Sequence, residues 1–70
     1  MKISYNRLWK LLIDKGMRKG ELRNSAGISQ STMAKLAKNQ NVNTDILVRI
    51  CSALDCTLDQ IIELTPDYEE

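Results

Sequence analysis

The chain contains no histidine. Every mechanism that needs an imidazole base, an imidazole metal ligand or a Cys-His pair is therefore excluded by inventory. Aromatic residues are almost as scarce, and a single tryptophan, Trp9, with two distant tyrosines does not make a platform on which bases could stack; packing at the core or its rim is the expected role of Trp9. Cys51 and Cys56 are the only cysteines. Two thiols without histidine partners cannot complete a four-ligand zinc site within one chain, nor do they make a disulfide framework. They read as two small apolar side chains in a reducing compartment. Uninterrupted apolar runs are no longer than that of Leu11, Leu12 and Ile13, too short for a membrane span or the core of a secretory signal. The expected location is the cytoplasm, with no membrane partner. No Gly/Ser linker, internal repeat or low-complexity stretch interrupts the sequence.

What is present fits one small domain spanning residues 1–70. Seventy residues, 43% hydrophobic and 27% charged, match ordinary globular proteins, near the lower size limit for a self-supporting core. The net charge of +1 conceals an asymmetry. Residues 1–38 hold nine basic side chains against two acidic ones, Asp14 and Glu21, a net of +7. In residues 39–70, Arg49 stands against seven carboxylates, a net of −6. Such a chain offers one region attracted to polyanions and another repelled by them, although charges on small helical proteins also serve simply as a solvated face.

Apolar spacing predicts helices over about 5–15, 19–26, 30–38, 44–54 and 58–64. In the first, Leu8, Leu11, Leu12 and the stem of Lys15 recur at i, i+3, i+4 and i+7, and Gly16 stops the pattern. The second has Arg18 at its N-cap, a poor capping residue, with Met17 and Leu22 in the positions of a hydrophobic staple and Gly27 at its end. Ser29 can cap the third, which carries Met33 and Leu36 on its apolar side. The NQNVN segment from Asn39 to Asn43 reads as a loop in which Asn39 can take the left-handed conformation and Asn43 can cap the fourth helix. Leu47, Ile50, Cys51 and Leu54 give the strongest helical periodicity in the chain. Thr57 and Gln60 form a capping-box pattern before Leu58, Ile61 and Ile62, and Pro66 begins an acidic tail over 66–70. Ile3 and Tyr5 could form one edge strand, but no alternating run is long enough for a sheet. The expected class is all-α, with five helices.

From Lys19 to Lys38 the sequence KGELRNSAGISQSTMAKLAK places Leu22, Ala26, Gly27, Ile28, Met33 and Leu36 where two helices joined by a tight turn must pack, as in a helix-turn-helix. This phrase, the polar loop after it and ILVRICSALDCTLDQII resemble, in order and spacing over nearly the whole chain, the Cro/CI-type (Xre, phage-repressor-like) family of transcriptional regulators. The resemblance implies a compact five-helix, lambda-repressor-like domain that binds double-stranded DNA and lays its third helix in the major groove. Gln30, Ser31, Thr32 and Lys35 match the positions that face base edges. Their chemistry is suited to base reading, since glutamine pairs with adenine, lysine reaches guanine acceptors and the threonine methyl touches thymine. Lys19, Asn39 and Asn41 match positions that reach backbone phosphate, and Arg18, Ser29 and Lys38 are assigned to the same contact. Arg23 and Arg18 depart from the family pattern, in which a small residue and a Ser or Thr cap stand there. Either these arginines extend outward to meet phosphate or the helix pair is splayed.

The implied function is a small repressor, acting as a homodimer on a two-fold symmetric site, because one such module contacts too little DNA for high specificity. A protein-interaction module on the same fold, such as an antitoxin or accessory subunit, is the alternative, supported by the acidic half of the chain. The third helix carries Lys35 and Lys38 and no carboxylate, which favours DNA. No enzyme is expected, since no serine or cysteine has a histidine base and no glycine-rich loop accompanies a Lys/Ser pair. No catalytic residue, cofactor, metal or small-molecule substrate is assigned.

Overall fold

The computed structural model describes residues 1–67. Four α-helices, α1 (Asn6–Lys15), α2 (Lys19–Ala26), α3 (Gln30–Ala37) and α4 (Thr44–Leu54), lie between two short strands, β1 (Lys2–Ser4) and β2 (Glu63–Thr65). The strands pair antiparallel, with Ile3 opposite Leu64.

One core holds the helices together. Leu8 and Leu12 of α1, Leu22 and Ala26 of α2, Ile28 of the turn, Met33 and Leu36 of α3, and Leu47, Ile50 and Leu54 of α4 are all buried. They are the periodic residues of the sequence, and burying each large aliphatic side chain contributes roughly 1.5–3 kcal/mol. Leu11 and Trp9 are half-buried at the rim, whereas Ile13 on the neighbouring stripe of α1 is exposed. Tyr5 joins the core instead of the strand, its backbone forming the N-cap of α1.

The helices end alike. Gly16, Gly27, Asn39 and Asp55 each take positive φ, between 52° and 67°. The chain thereby turns back so that amides just past each helix reach its last free carbonyls, as Met17 does to Leu12, Ile28 to Arg23, Gln40 to Lys35 and Cys56 to Cys51. Glycine meets this conformation without strain, and asparagine and aspartate are the side chains that best tolerate it.

The expected fifth helix over 58–64 does not form, and the class is mostly helical with a small two-stranded sheet rather than all-α. Leu58–Gln60 make one 3-10 turn, after which the chain extends into β2. The capping pair is real, since the Thr57 amide donates to Gln60 Oε1 at 3.0 Å. It starts a turn that the residues after Gln60 do not propagate. The β-branched residues Ile61, Ile62 and Thr65 favour extended backbone, and β1 supplies the partner amides and carbonyls. Ile61 is fully buried, and Arg7 of α1 ties the segment down through Glu63 Oε1 at 2.9 Å and the Asp59 carbonyl at 2.8 Å.

In the acidic tail, Asp67 accepts a contact from the Met1 ammonium at 2.9 Å, while Tyr68, Glu69 and Glu70 lie outside the described residues. Asn43 occupies the N-cap of α4, yet its side chain makes no capping hydrogen bond. Among the described residues, no helix is long and apolar enough to cross a membrane.

Candidate nucleic-acid interface

The turn between α2 and α3 fixes the geometry of the site. Gly27 adopts φ +67°, and its carbonyl accepts a hydrogen bond from Arg49 Nη1 at 3.1 Å. Arg49 also pairs with Asp45 one turn earlier in α4, Nε to Oδ2 3.0 Å. No sequence signal points to this tie, because Arg49 reads there only as one cation in an acidic half. Since α4 also packs against α2, the turn is clamped from behind and α3 is held at a set angle.

Ser29 caps α3 as expected, its Oγ accepting from the Thr32 amide at 3.2 Å. The same hydroxyl donates to Thr32 Oγ1 at 3.0 Å and lies 3.1 Å from Ser31 Oγ. Three hydroxyls thus form a local network at the start of the helix, orienting Ser31 and Thr32. Gln30, Ser31 and Lys35 are exposed, and Thr32 is half-buried. With Met33 and Leu36 directed into the core, these four are left on the outer side of the helix.

Two shallow clefts flank this surface. On the α2 side, Lys19, Arg23, Gln30, Met33, Ala34 and Ala37 line one; on the other, Thr32, Lys35, Asn41, Val42, Asn43 and Ile46 line the second. Gln30 and Lys35 therefore stand on opposite sides of α3, with Asn41 brought beside Lys35 by the loop.

The residues assigned to phosphate are distributed around this helix. Lys19 begins α2, and its ammonium lies 4.5 Å from the centroid of the Trp9 ring, a cation–π contact. Trp9 thus positions a candidate contact residue, a role that its place at the core rim does not announce. Arg18 is exposed and contributes only backbone to the cap, its N–H donating to Glu21 Oε1 at 3.0 Å. Lys38 is exposed at the C-terminal end of α3. Asn39 takes the left-handed conformation as expected, but its side-chain carbonyl accepts from the Tyr5 amide at 3.0 Å, leaving the amide NH2 for an external acceptor. Asn41 is exposed.

Among the described residues, no group of three or more metal-ligating side chains converges. Cys51 and Cys56 are free thiols, half-buried, and burial pushes the Cys56 thiol up to about 11, helped by the adjacent Cys51.

The helix-turn-helix, its polar outer face and the basic side chains beside it define a DNA-binding domain of a known kind. Residues 7–67 match the family model of the Cro/C1-type helix-turn-helix DNA-binding domain. The chain belongs to that family. It is also similar to a solved structure, the crystal structure of transcriptional regulator VanUg, Form II, at 55% sequence identity and a TM-score of 0.91, over 94% of this chain and 88% of that one. No curated protein matches.

Proposed function

We propose that this protein is a DNA-binding transcriptional regulator, acting in the cytoplasm as a small repressor that reads the major groove of double-stranded DNA with α3. The observation that carries this reading is the outer face of α3. Gln30, Ser31, Thr32 and Lys35 leave it rich in hydrogen-bonding groups and free of carboxylate, and Lys19 and Arg23 line the cleft alongside. Glutamine and lysine supply the donors and acceptors that distinguish base pairs in the major groove. Arg18, Lys19, Ser29, Lys38, Asn39 and Asn41 hold the helix in register through backbone phosphates, which carry affinity and not sequence information. The likeness to a transcriptional regulator at 55% identity supports the regulatory role.

Two copies on a two-fold symmetric site would double the base pairs read, and half-sites about one helical turn apart are the usual arrangement for this motif. The test is selection of preferred duplexes from a random pool, followed by fluorescence anisotropy of the selected duplex and a scrambled control over a salt series. A symmetric motif is expected, with Gln30→Ala or Lys35→Ala relaxing preference at a defined base pair. Absence of any enriched sequence, with binding lost at physiological salt, would overturn the reading and leave a protein-interaction module in its place.

A further inference from the structure

Arg23 stands where the helix-turn-helix would ordinarily carry a small packed residue, and the structure shows what that replacement does. The two helices are not splayed: Leu22, Ala26, Ile28, Met33 and Leu36 remain buried between them and the rest of the core. Arg23 is instead half-buried in the wall of the cleft between α2 and α3, where its stem can lie along apolar surface while its head points outward. It follows Lys19 by one turn, so both cations lie on the same side of α2, about 6 Å apart along the axis. Facing them across the cleft, α3 presents Gln30, Met33 and the small residues Ala34 and Ala37, which leave an open space of about 190 Å³. No carboxylate lines it. The Lys19 ammonium rests over Trp9, whereas the Arg23 guanidinium has no hydrogen bond or ion pair among the described residues.

A guanidinium without an anion, beside a second cation and next to a candidate base-reading glutamine, is prepared for an external anion. We infer that Arg23 is a DNA-contacting residue, its planar fork binding a backbone phosphate of the strand that borders the bases read by Gln30. Guanidinium suits phosphate because two parallel N–H groups can engage two phosphate oxygens. Ala34 and Ala37 make the contact sterically possible, since larger side chains on that side of α3 would fill the cleft. The inference rests on the DNA-binding reading above and adds to it a contact that the motif alone does not assign.

The experiment measures anisotropy of the selected and scrambled duplexes over a salt series with the wild-type protein, Arg23→Met, Arg23→Lys and Gln30→Ala. Methionine keeps an apolar stem against the cleft wall and removes the charged, hydrogen-bonding fork, and circular dichroism with thermal melting verifies that each variant is folded. Arg23→Met is expected to weaken both duplexes by the same factor, about tenfold, and to flatten the slope of log K against log salt by about 0.9. Arg23→Lys should retain the wild-type slope. An Arg23→Met variant that is folded and has the wild-type slope and affinity overturns the phosphate contact while leaving the DNA reading intact. Loss of preference at one base pair, with the slope unchanged, overturns it in favour of base reading. Failure of the wild-type protein to bind any duplex defeats the DNA reading itself, an outcome separate from these.

Discussion

The backbone N–H of Tyr5 donates to the side-chain carbonyl of Asn39 at 3.0 Å, joining the N-cap of α1 to the residue that closes the end of α3. The Tyr5 hydroxyl donates in turn to the Gln40 carbonyl at 2.7 Å. One buried tyrosine therefore holds the segment leaving α3 by two bonds, from its main chain and from its ring. The N-terminal end of α3 is fixed by the clamped turn at Gly27, and its C-terminal end by Tyr5. A helix held at both ends presents its side chains without a large ordering cost on binding.

Asn39 has two separable roles, and three substitutions divide them. Asn39→Gly keeps the positive φ but removes the acceptor for Tyr5, and should cost about 1 kcal/mol in urea denaturation. Asn39→Ala adds the strain of a left-handed backbone, another ~1 kcal/mol. Asn39→Asp retains an acceptor oxygen, so it should melt close to wild type, yet it places a negative charge where a phosphate contact is proposed and should weaken DNA binding. Unchanged affinity in Asn39→Asp would remove this side chain from the interface.

Most of this architecture is legible in the sequence because its signals are local. Periodic Leu, Ile and Met residues mark the buried faces of four helices, and Gly16, Gly27 and Asn39 mark three of the four left-handed helix ends. Asp55 closes the fourth in the same way, but aspartate at such a position also reads as an ordinary exposed charge. The strand pair is not legible because it depends on pairing between residues about 60 apart: Thr57 and Gln60 announce a helix start locally, and only the arrival of β1 makes the extended alternative better. Arg49 on the Gly27 carbonyl and Lys19 over Trp9 are likewise contacts between distant elements, and neither residue type advertises its partner. For the candidate site, the sequence supplies the residues and the fold supplies their grouping, with Gln30 beside Lys19 and Arg23, and Lys35 beside Asn41.

The hydroxyl network at the start of α3 links stability to recognition. Ser29→Ala removes the cap on the Thr32 amide and frees the hydroxyls of Ser31 and Thr32 to rotate. Loss of the cap should cost about 1 kcal/mol. Because Ser31 and Thr32 are candidate base contacts, Ser29→Ala should also lower affinity for the selected duplex. Ser29→Asp restores the cap but adds a carboxylate at the DNA side, so it should recover the melting temperature and lose more affinity. Parallel recovery of both would show that Ser29 acts through stability alone.

At the turn, geometry predicts a cost set by backbone and not by crowding. A Cβ built on Gly27 would meet only Arg49 Nη1, at 3.8 Å, an ordinary contact. Gly27→Ala should therefore destabilise by about 1–2 kcal/mol, the penalty of a left-handed alanine. Arg49→Ala removes an exposed hydrogen bond and an exposed ion pair and should cost under about 1 kcal/mol. A much larger loss in Gly27→Ala, measured by urea denaturation, would mean that the turn cannot accept a side chain for a steric reason absent from this structure.

Two groups resist ionisation in the folded chain and should make it sensitive to alkali. Burial raises the Tyr5 phenol above its ordinary value of 10.0, and burial followed by the neighbouring Cys51 raises the Cys56 thiol from 9.0 to about 11. Well below pH 9 both are protonated whether the chain is folded or not, so neither lowers stability there. As pH rises from 9 to 11 the unfolded chain releases these protons more readily than the folded one, and stability falls. Tyr5→Phe should remove the tyrosine's share of that fall, at a cost of about 1 kcal/mol at neutral pH for the lost bond to Gln40. Cys56→Ala should remove the thiol's share, and in the wild-type protein Cys56 should react with iodoacetamide at pH 8.5 more slowly than it does in urea. The measurement is the urea midpoint at successive pH values for wild type and both variants. Equal slopes between pH 9 and 11 in all three would show that neither group carries the alkaline loss.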